Sequence, residues 1–125
     1  MMVFASRTGN VRYIVSQLKA DSLEITEGLQ VDQPFLLITY TDGLGDIPTR
    51  VIDFLNVNAH QCKGVVISGN SNFGHSLFAA AGEKIAAAYQ IPLVRKIDLR
   101  GYKDDYEAIQ QFYEMRVKEC KHIYS

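Results

Sequence analysis

Cysteine is scarce: Cys62 and Cys120 are the two in 125 residues, and they form neither a CxxC pair nor a metal-ligand spacing. A disulfide framework is therefore excluded, and a reduced, cytoplasmic protein with buried or idle thiols is expected. Charge of one sign is lacking as well. The 13 Lys and Arg against 14 Asp and Glu leave a formal net charge of -1, without the basic stripe of a nucleic-acid binder. No apolar run approaches the roughly 18 residues of a membrane span, and no charged n-region with an apolar core opens the chain. Neither a membrane nor a nucleic acid is expected as a partner. Repeats, linkers and low-complexity tracts are absent, and a hydrophobic content of 47% suffices for a real core, so one domain over 1–125 is expected. Nucleotide motifs are missing too, both GxGxxG and GxxxxGK[ST], and Gly69–Gly74 leads into His75-Ser76 rather than Lys. Where a phosphoacceptor domain needs an acidic pair after its first strand, Ser6-Arg7 stands instead. That loop also lacks the cysteine of a phosphatase-type nucleophile.

What is present is an alternation of strand and helix patterns. Met2–Ala5 reads as a short apolar strand, and about Asn10–Ala20 as a helix with Val11, Ile14, Val15 and Leu18 on one face. Ser22–Thr26 alternates, with Leu23 and Ile25 to one side, as a half-exposed strand does. Glu27–Pro34 is too short for a full helix and is expected as a loop or single turn. Phe35–Tyr40 and Gly64–Ser68 are apolar on both faces and therefore central. A second helix starts near Pro48 or Thr49 and turns Val51, Ile52 and Leu55 inward. A third runs from about Ser76 to Tyr89 on Phe78, Ala81, Ile85 and Ala88. Pro92–Leu99, with Arg95, Lys96 and Asp98, reads as an edge strand. A fourth helix follows from about Lys103 to Cys120 on Tyr106, Ile109, Phe112, Tyr113 and Val117. The alternation implies an α/β fold, a five-stranded parallel sheet with helices on both faces. Half-exposed second and fifth strands imply the order 2-1-3-4-5.

Ligands on such sheets bind beyond the carboxyl ends of the strands, at the switch point between strands 1 and 3. The loops after strands 1, 3 and 4 all fall on that edge, and all are rich in Gly, Asn, Ser and Thr. In the first, Ser6-Arg7-Thr8-Gly9-Asn10, a strand ends and a helix begins, so free N–H groups and the positive end of the helix dipole face outward. An anion such as phosphate suits that setting; an ordinary N-cap uses the same residue types. The second loop offers Thr41, Asp42, Gly43, Leu44 and Gly45, with Tyr40 at its root. The third offers Gly69, Asn70, Asn72, Phe73 and Gly74. Glycine-rich backbone presents N–H and C=O groups to the edge of a flat heterocycle, and Phe73 or Tyr40 supplies a stacking face. The sum points to a planar, phosphorylated cofactor.

At this point a resemblance becomes specific. Ser6-Arg7-Thr8-Gly9-Asn10 resembles the FMN-phosphate loop of flavodoxins, and the rest of the chain resembles the NrdI family, small flavodoxins that serve class Ib ribonucleotide reductase. The matching segments are Val31–Phe35, Gly43–Pro48, Gly64–Gly74 and Leu99-Arg100-Gly101, colinear over nearly the whole chain. Ser68-Gly69-Asn70-Ser71-Asn72-Phe73-Gly74 is the most distinguishing of them. The resemblance implies a flavodoxin-like fold with FMN at this edge, and the small, dimanganese subunit of the reductase as partner. It implies that reduced flavin, recharged by an upstream flavin reductant, reacts with dioxygen and passes an oxidant to the dimanganese site, where a tyrosyl radical forms. Ser6, Arg7, Thr8, Gly9, Asn10 and Val11 would surround the phosphate. Gly43 would lie beside flavin N5, where a peptide flip trades a carbonyl for an amide as N5 gains a proton. Thr41, Asp42, Leu44 and Gly45 would flank it, and Gly69, Asn70, Asn72, Phe73 and Gly74 would wall the ring. Two positions depart from the pattern: Val11, where flavodoxins often carry another hydroxyl, and Leu44, where relatives can carry an aromatic. The near-neutral chain lowers the electrostatic penalty on a negatively charged reduced flavin, which suits an oxygen-reducing flavoprotein. A general flavodoxin electron carrier is the alternative, and a flavin-free docking module the third reading.

Other polar residues read more plainly. Asp42 and Asp46 are expected as solvated turn and cap residues rather than metal ligands, and no metal site is expected. His75, in the third loop, is either a flavin- or partner-facing residue or an exposed loop histidine. His60 and His122 have no constellation around them. Phe73, between Asn and Gly, faces a ligand or partner, or plugs the core.

Overall fold

The computed structural model describes residues 1–74 and 77–118, with Phe73 through its backbone alone. Its centre is the pair β3 (Phe35–Tyr40) and β4 (Cys62–Gly69), whose side chains are almost all buried on both faces. Continuous apolar character leaves such strands no solvent face, so helices must cover both sides. β1 (Met2–Phe4) pairs in parallel with β3 on one side and with β2 (Ser22–Glu24) on the other, and β5 (Leu93–Asp98) pairs with β4. The resulting sheet has the expected order β2-β1-β3-β4-β5. The chain leaves β1 toward β2 and returns across it to β3, so the switch point lies between β1 and β3.

One face carries α2 (Thr49–Asn58) and α3 (Ala80–Tyr89), which bury Val51, Phe54, Leu55 and Ile85 against Val3, Phe35, Leu37 and Val65. The other carries α1 (Asn10–Ser16) and α4 (Lys103–Phe112), the latter prolonged by a π-helical segment over Tyr113–Lys118. There Val11, Ile14, Ile109, Tyr113 and Val117 meet Met2, Phe4, Leu36, Ile38 and Val66.

Departures from the sequence pattern have identifiable causes. α1 stops at Ser16 rather than near Ala20. The Gln110 side chain takes both the N–H and the C=O of Lys19, at 2.8 and 3.1 Å, and draws that backbone out of the helical ladder. No helix joins β2 to β3, as expected. Leu23 is therefore 40% exposed although it alternates with buried Ile25. Ala88 is exposed, because α3 is turned to press Gly82, with Ile85, toward the sheet at Ile67 and Leu93, which carries Ala88 off the inward face. α3 starts at Ala80 rather than near Ser76: Leu77–Ala79 form a turn, and the left-handed φ of 51° at Ala79 keeps Phe78 out of the helix. Ser76, Cys120 and His122 lie outside the described residues.

The β2–β3 connection is held by one buried polar side chain. Asn58, at the end of α2, accepts from the Val31 N–H at 2.8 Å and donates to the Leu29 and Phe54 carbonyls, both at 2.9 Å. Removing it leaves buried backbone groups unpaired, so Asn58→Ala is expected to cost about 2–3 kcal/mol in urea denaturation. A loss below about 0.5 kcal/mol would contradict this role.

Cys62 is buried in β4 and donates to the Gly64 carbonyl at 3.3 Å. Burial pushes its thiol from 9.0 up to about 12. The folded chain thus keeps a proton that the unfolded chain sheds above pH 9, so this group withdraws stability as pH rises from 9 toward 12. Wild type should lose stability through that window more steeply than Cys62→Ala, measured by urea midpoints at pH 8 and 10.5; parallel losses would contradict it.

Candidate functional site

Segments from the carboxyl ends of β1, β3, β4 and β5 converge around one cavity of about 360 Å³. The β1–α1 turn contributes Ser6, Arg7, Thr8, Asn10 and Val11; the end of β3 contributes Tyr40, Thr41 and Gly43; the end of β4 contributes Ser68, Gly69 and Asn70. Leu77 and Leu99 complete the lining. Gly9, Asp42, Leu44, Gly45, Asn72 and Gly74 do not line the cavity but belong to the same loops. The Phe73 side chain and His75 lie outside the described residues.

Each loop has its own anchoring. In the first, the Ser6 hydroxyl accepts from the Arg12 N–H at 3.3 Å, and Gly9 takes a positive φ of 95° to turn the chain into α1. The first-turn N–H groups, including Asn10 and Val11, have no intrahelical acceptor. In the second, Asp42 and Asp46 exchange backbone hydrogen bonds, both 2.8 Å, and close the turn. The Asp42 carboxylate accepts from the Gly43 N–H at 3.0 Å and pairs with Arg7 at 2.9 Å, while Asp46 pairs with Lys84 at 3.3 Å. These carboxylates have turn and ion-pair partners, and among the described residues no group of three or more potential metal ligands exists. Gly43 sits at a φ of 49°, and Leu44 at the tip is 70% exposed. In the third, Asn70 caps a short 3-10 turn by accepting from the Asn72 N–H at 2.9 Å. Ser71 donates to the Asp98 carboxylate from its N–H at 3.0 Å and its hydroxyl at 2.7 Å. Gly69 is required by packing, since a Cβ there would stand 2.7 Å from the backbone nitrogen of Ala79.

A fourth wall comes from the β5–α4 loop. Leu99 holds a left-handed conformation, φ 56°, costly for a branched side chain. Two bonds enforce it: its N–H donates to the Gly69 carbonyl at 2.7 Å, and its carbonyl accepts from the Ser68 hydroxyl at 2.6 Å. Next to it, Arg100 reaches Asn10 Oδ1 at 3.3 Å and lies 4.9 Å over the Tyr13 ring. Sequence reasoning placed no site residue here. One signal was available in Ser68, a hydroxyl inside a strand buried on both faces. Two guanidinium groups also lie over the Tyr40 ring, Arg7 at 5.4 Å and Arg50 at 5.6 Å.

A larger recess of about 610 Å³ lies between Ile25–Gln30 and α2. It occupies the face that a β2–β3 helix would cover, and neither the β3 nor the β4 loop reaches it. The smaller cavity is the better site, because independent loops bring convergent polar groups to it at the switch point.

A family model described as NrdI flavodoxin-like matches residues 2–111. The chain belongs to the flavodoxin-like NrdI family. It is 38% identical over 114 residues to the SPbeta prophage-derived protein NrdI of Bacillus subtilis, covering 88% of each chain. It is 40% identical over 114 residues to protein NrdI of Bacillus licheniformis, covering 90% of this chain and 86% of that one. Among solved structures, a short-chain flavodoxin associated with a bacterial microcompartment superposes with a TM-score of 0.68 at 23% identity, over 94% and 95% of the two chains. That likeness concerns the fold. Membership in the NrdI family implies a flavin cofactor and an association with ribonucleotide reductase.

Ser68→Ala should free the Leu99 carbonyl and loosen the fourth wall. Amide exchange at Leu99 is expected to rise by about tenfold or more, from loss of roughly 1.5 kcal/mol of local stability. Unchanged exchange would show that the Gly69 carbonyl alone holds the turn.

Proposed function

We propose that the 360 Å³ cavity binds FMN, and that the reduced protein supplies the oxidant that assembles the dimanganese–tyrosyl radical cofactor in the small subunit of class Ib ribonucleotide reductase. The observation that carries this is the cavity's place at the switch point of a chain of the NrdI family. Its donor set suits a phosphorylated, planar ligand: hydroxyls of Ser6 and Thr8, amides of Asn10 and Asn70, apolar Val11, Leu77 and Leu99, and no carboxylate in the lining. Its size falls within the range of about 300–1,000 Å³ usual for small-ligand sites.

On this reading Ser6, Arg7, Thr8, Gly9, Asn10 and Val11 surround the phosphate. Thr41, Asp42, Gly43, Leu44 and Gly45 follow the ring edge, and Gly69, Asn70, Asn72, Phe73 and Gly74 form the opposite wall. Bound and reduced, FMN supplies electrons to dioxygen; the protein sets access and polarity around it. With FMN bound, Gly43 would lie beside N5; its positive φ is one that a glycine adopts without strain, and the Gly43–Leu44 peptide could then present either its C=O or its N–H there. The exposed Leu44 tip and the third loop form part of the surface offered to the reductase subunit. The protein works in the cytoplasm, recharged by an upstream flavin reductant. Among the described residues no helix is long and apolar enough to cross a membrane.

The test is an absorption spectrum of the purified protein, followed by anaerobic reduction, mixing with the manganese-loaded small subunit, and admission of air. About one flavin per chain and a tyrosyl radical signal by electron paramagnetic resonance are expected. Reoxidation without a radical would favour a general electron carrier, and no flavin after FMN addition would overturn the reading.

A further inference from the structure

The first loop carries an arginine, Arg7, but its charge is already answered by Asp42 at 2.9 Å. A different guanidinium stands behind that loop. Arg50, in the first turn of α2, is half-buried and donates from its terminal nitrogen to the Ser6 carbonyl at 2.6 Å. It also lies 5.6 Å over the Tyr40 ring. No carboxylate within 4.0 Å pairs with it among the described residues.

The consequence follows from the planar trans peptide. Fixing the Ser6 carbonyl toward Arg50 turns the N–H of the same unit, that of Arg7, the opposite way. A loop meant to receive an anion must present N–H groups and keep its carbonyl lone pairs away from the negative charge. Arg50 imposes that polarity from outside the loop. It also sets a positive charge against the Ser6 carbonyl, beside a recess that Arg50 shares with Glu27 and Asp53 but without a carboxylate paired to it within 4.0 Å among the described residues, and charge–charge attraction there is only partly screened.

We infer that Arg50 is a positioning residue for a phosphomonoester: through the Ser6 carbonyl it makes the cavity prefer FMN to riboflavin, which has the same ring without the phosphate. This rests on the FMN reading above. It concerns a residue on α2 that does not line the cavity.

The experiment compares FMN and riboflavin binding to the full chain by fluorescence titration at low and high salt, for wild type, Arg50→Met and Arg50→Lys. Wild type should prefer FMN. Arg50→Met should weaken FMN by about tenfold or more, the scale of one hydrogen bond to a charged group, and leave riboflavin within about twofold. It should also flatten the salt dependence of FMN binding. Arg50→Lys, which keeps a charge and a donor, should recover part of the preference, and it carries the test if the Met variant fails to fold. Equal loss of both flavins in the folded variants, or an unchanged FMN-to-riboflavin ratio, would overturn the inference and leave the FMN reading standing. Binding of neither flavin by wild type would overturn both.

Discussion

The candidate site hangs on a small hydrogen-bonded knot where β4 ends. Ser68 pairs with Tyr40 of β3 on one side and Ile97 of β5 on the other. Its carbonyl accepts from both the N–H and the hydroxyl of Thr41, at 3.0 and 3.1 Å. Its own hydroxyl holds the Leu99 carbonyl, and the Gly69 carbonyl holds the Leu99 N–H. The chain exits of three adjacent strands are thereby fixed relative to one another within two residues of β4. Because parallel strands all deliver their loops to the same edge, this knot fixes three of the four walls of the cavity relative to one another.

The first loop is tied in by charge rather than by sheet pairing. Arg7 reaches across to Asp42 in the second loop, Arg50 reaches back from α2 to Ser6, and both guanidiniums lie over Tyr40. Tyr40 is thus a common platform for two loops and a helix. The Arg7–Asp42 pair is half-exposed, so its energetic weight is small. Its value is in orientation, since it leaves the turn closed by the Asp42–Asp46 bridge facing the phosphate-type loop.

The short β2–β3 connection shapes the opposite flank. A crossover without a helix must satisfy its own backbone, and Asn58 does so from α2. The recess beside Ile25–Gln30 and the exposed Leu23 are consequences of the same economy. The two flanks therefore differ: one is stitched by strand ends, the other by a single buried amide.

Strand order, the placement of five strands and four helices, and the edge on which the loops meet were legible in the sequence, because apolar periodicity and the burial of β3 and β4 on both faces leave few arrangements. The composition of the loops marked Ser6–Asn10, Thr41–Gly45 and Gly69–Gly74 as one neighbourhood, since parallel strands share a direction. Tertiary structure alone decided the rest. Gln110 ends α1 from 91 residues away, Leu99 is held in a strained turn by Ser68, and Arg50 turns a carbonyl 44 residues upstream. Local pattern carries none of these, because each is a hydrogen bond between backbone groups of one segment and a side chain of another, and such bonds have no period along the chain.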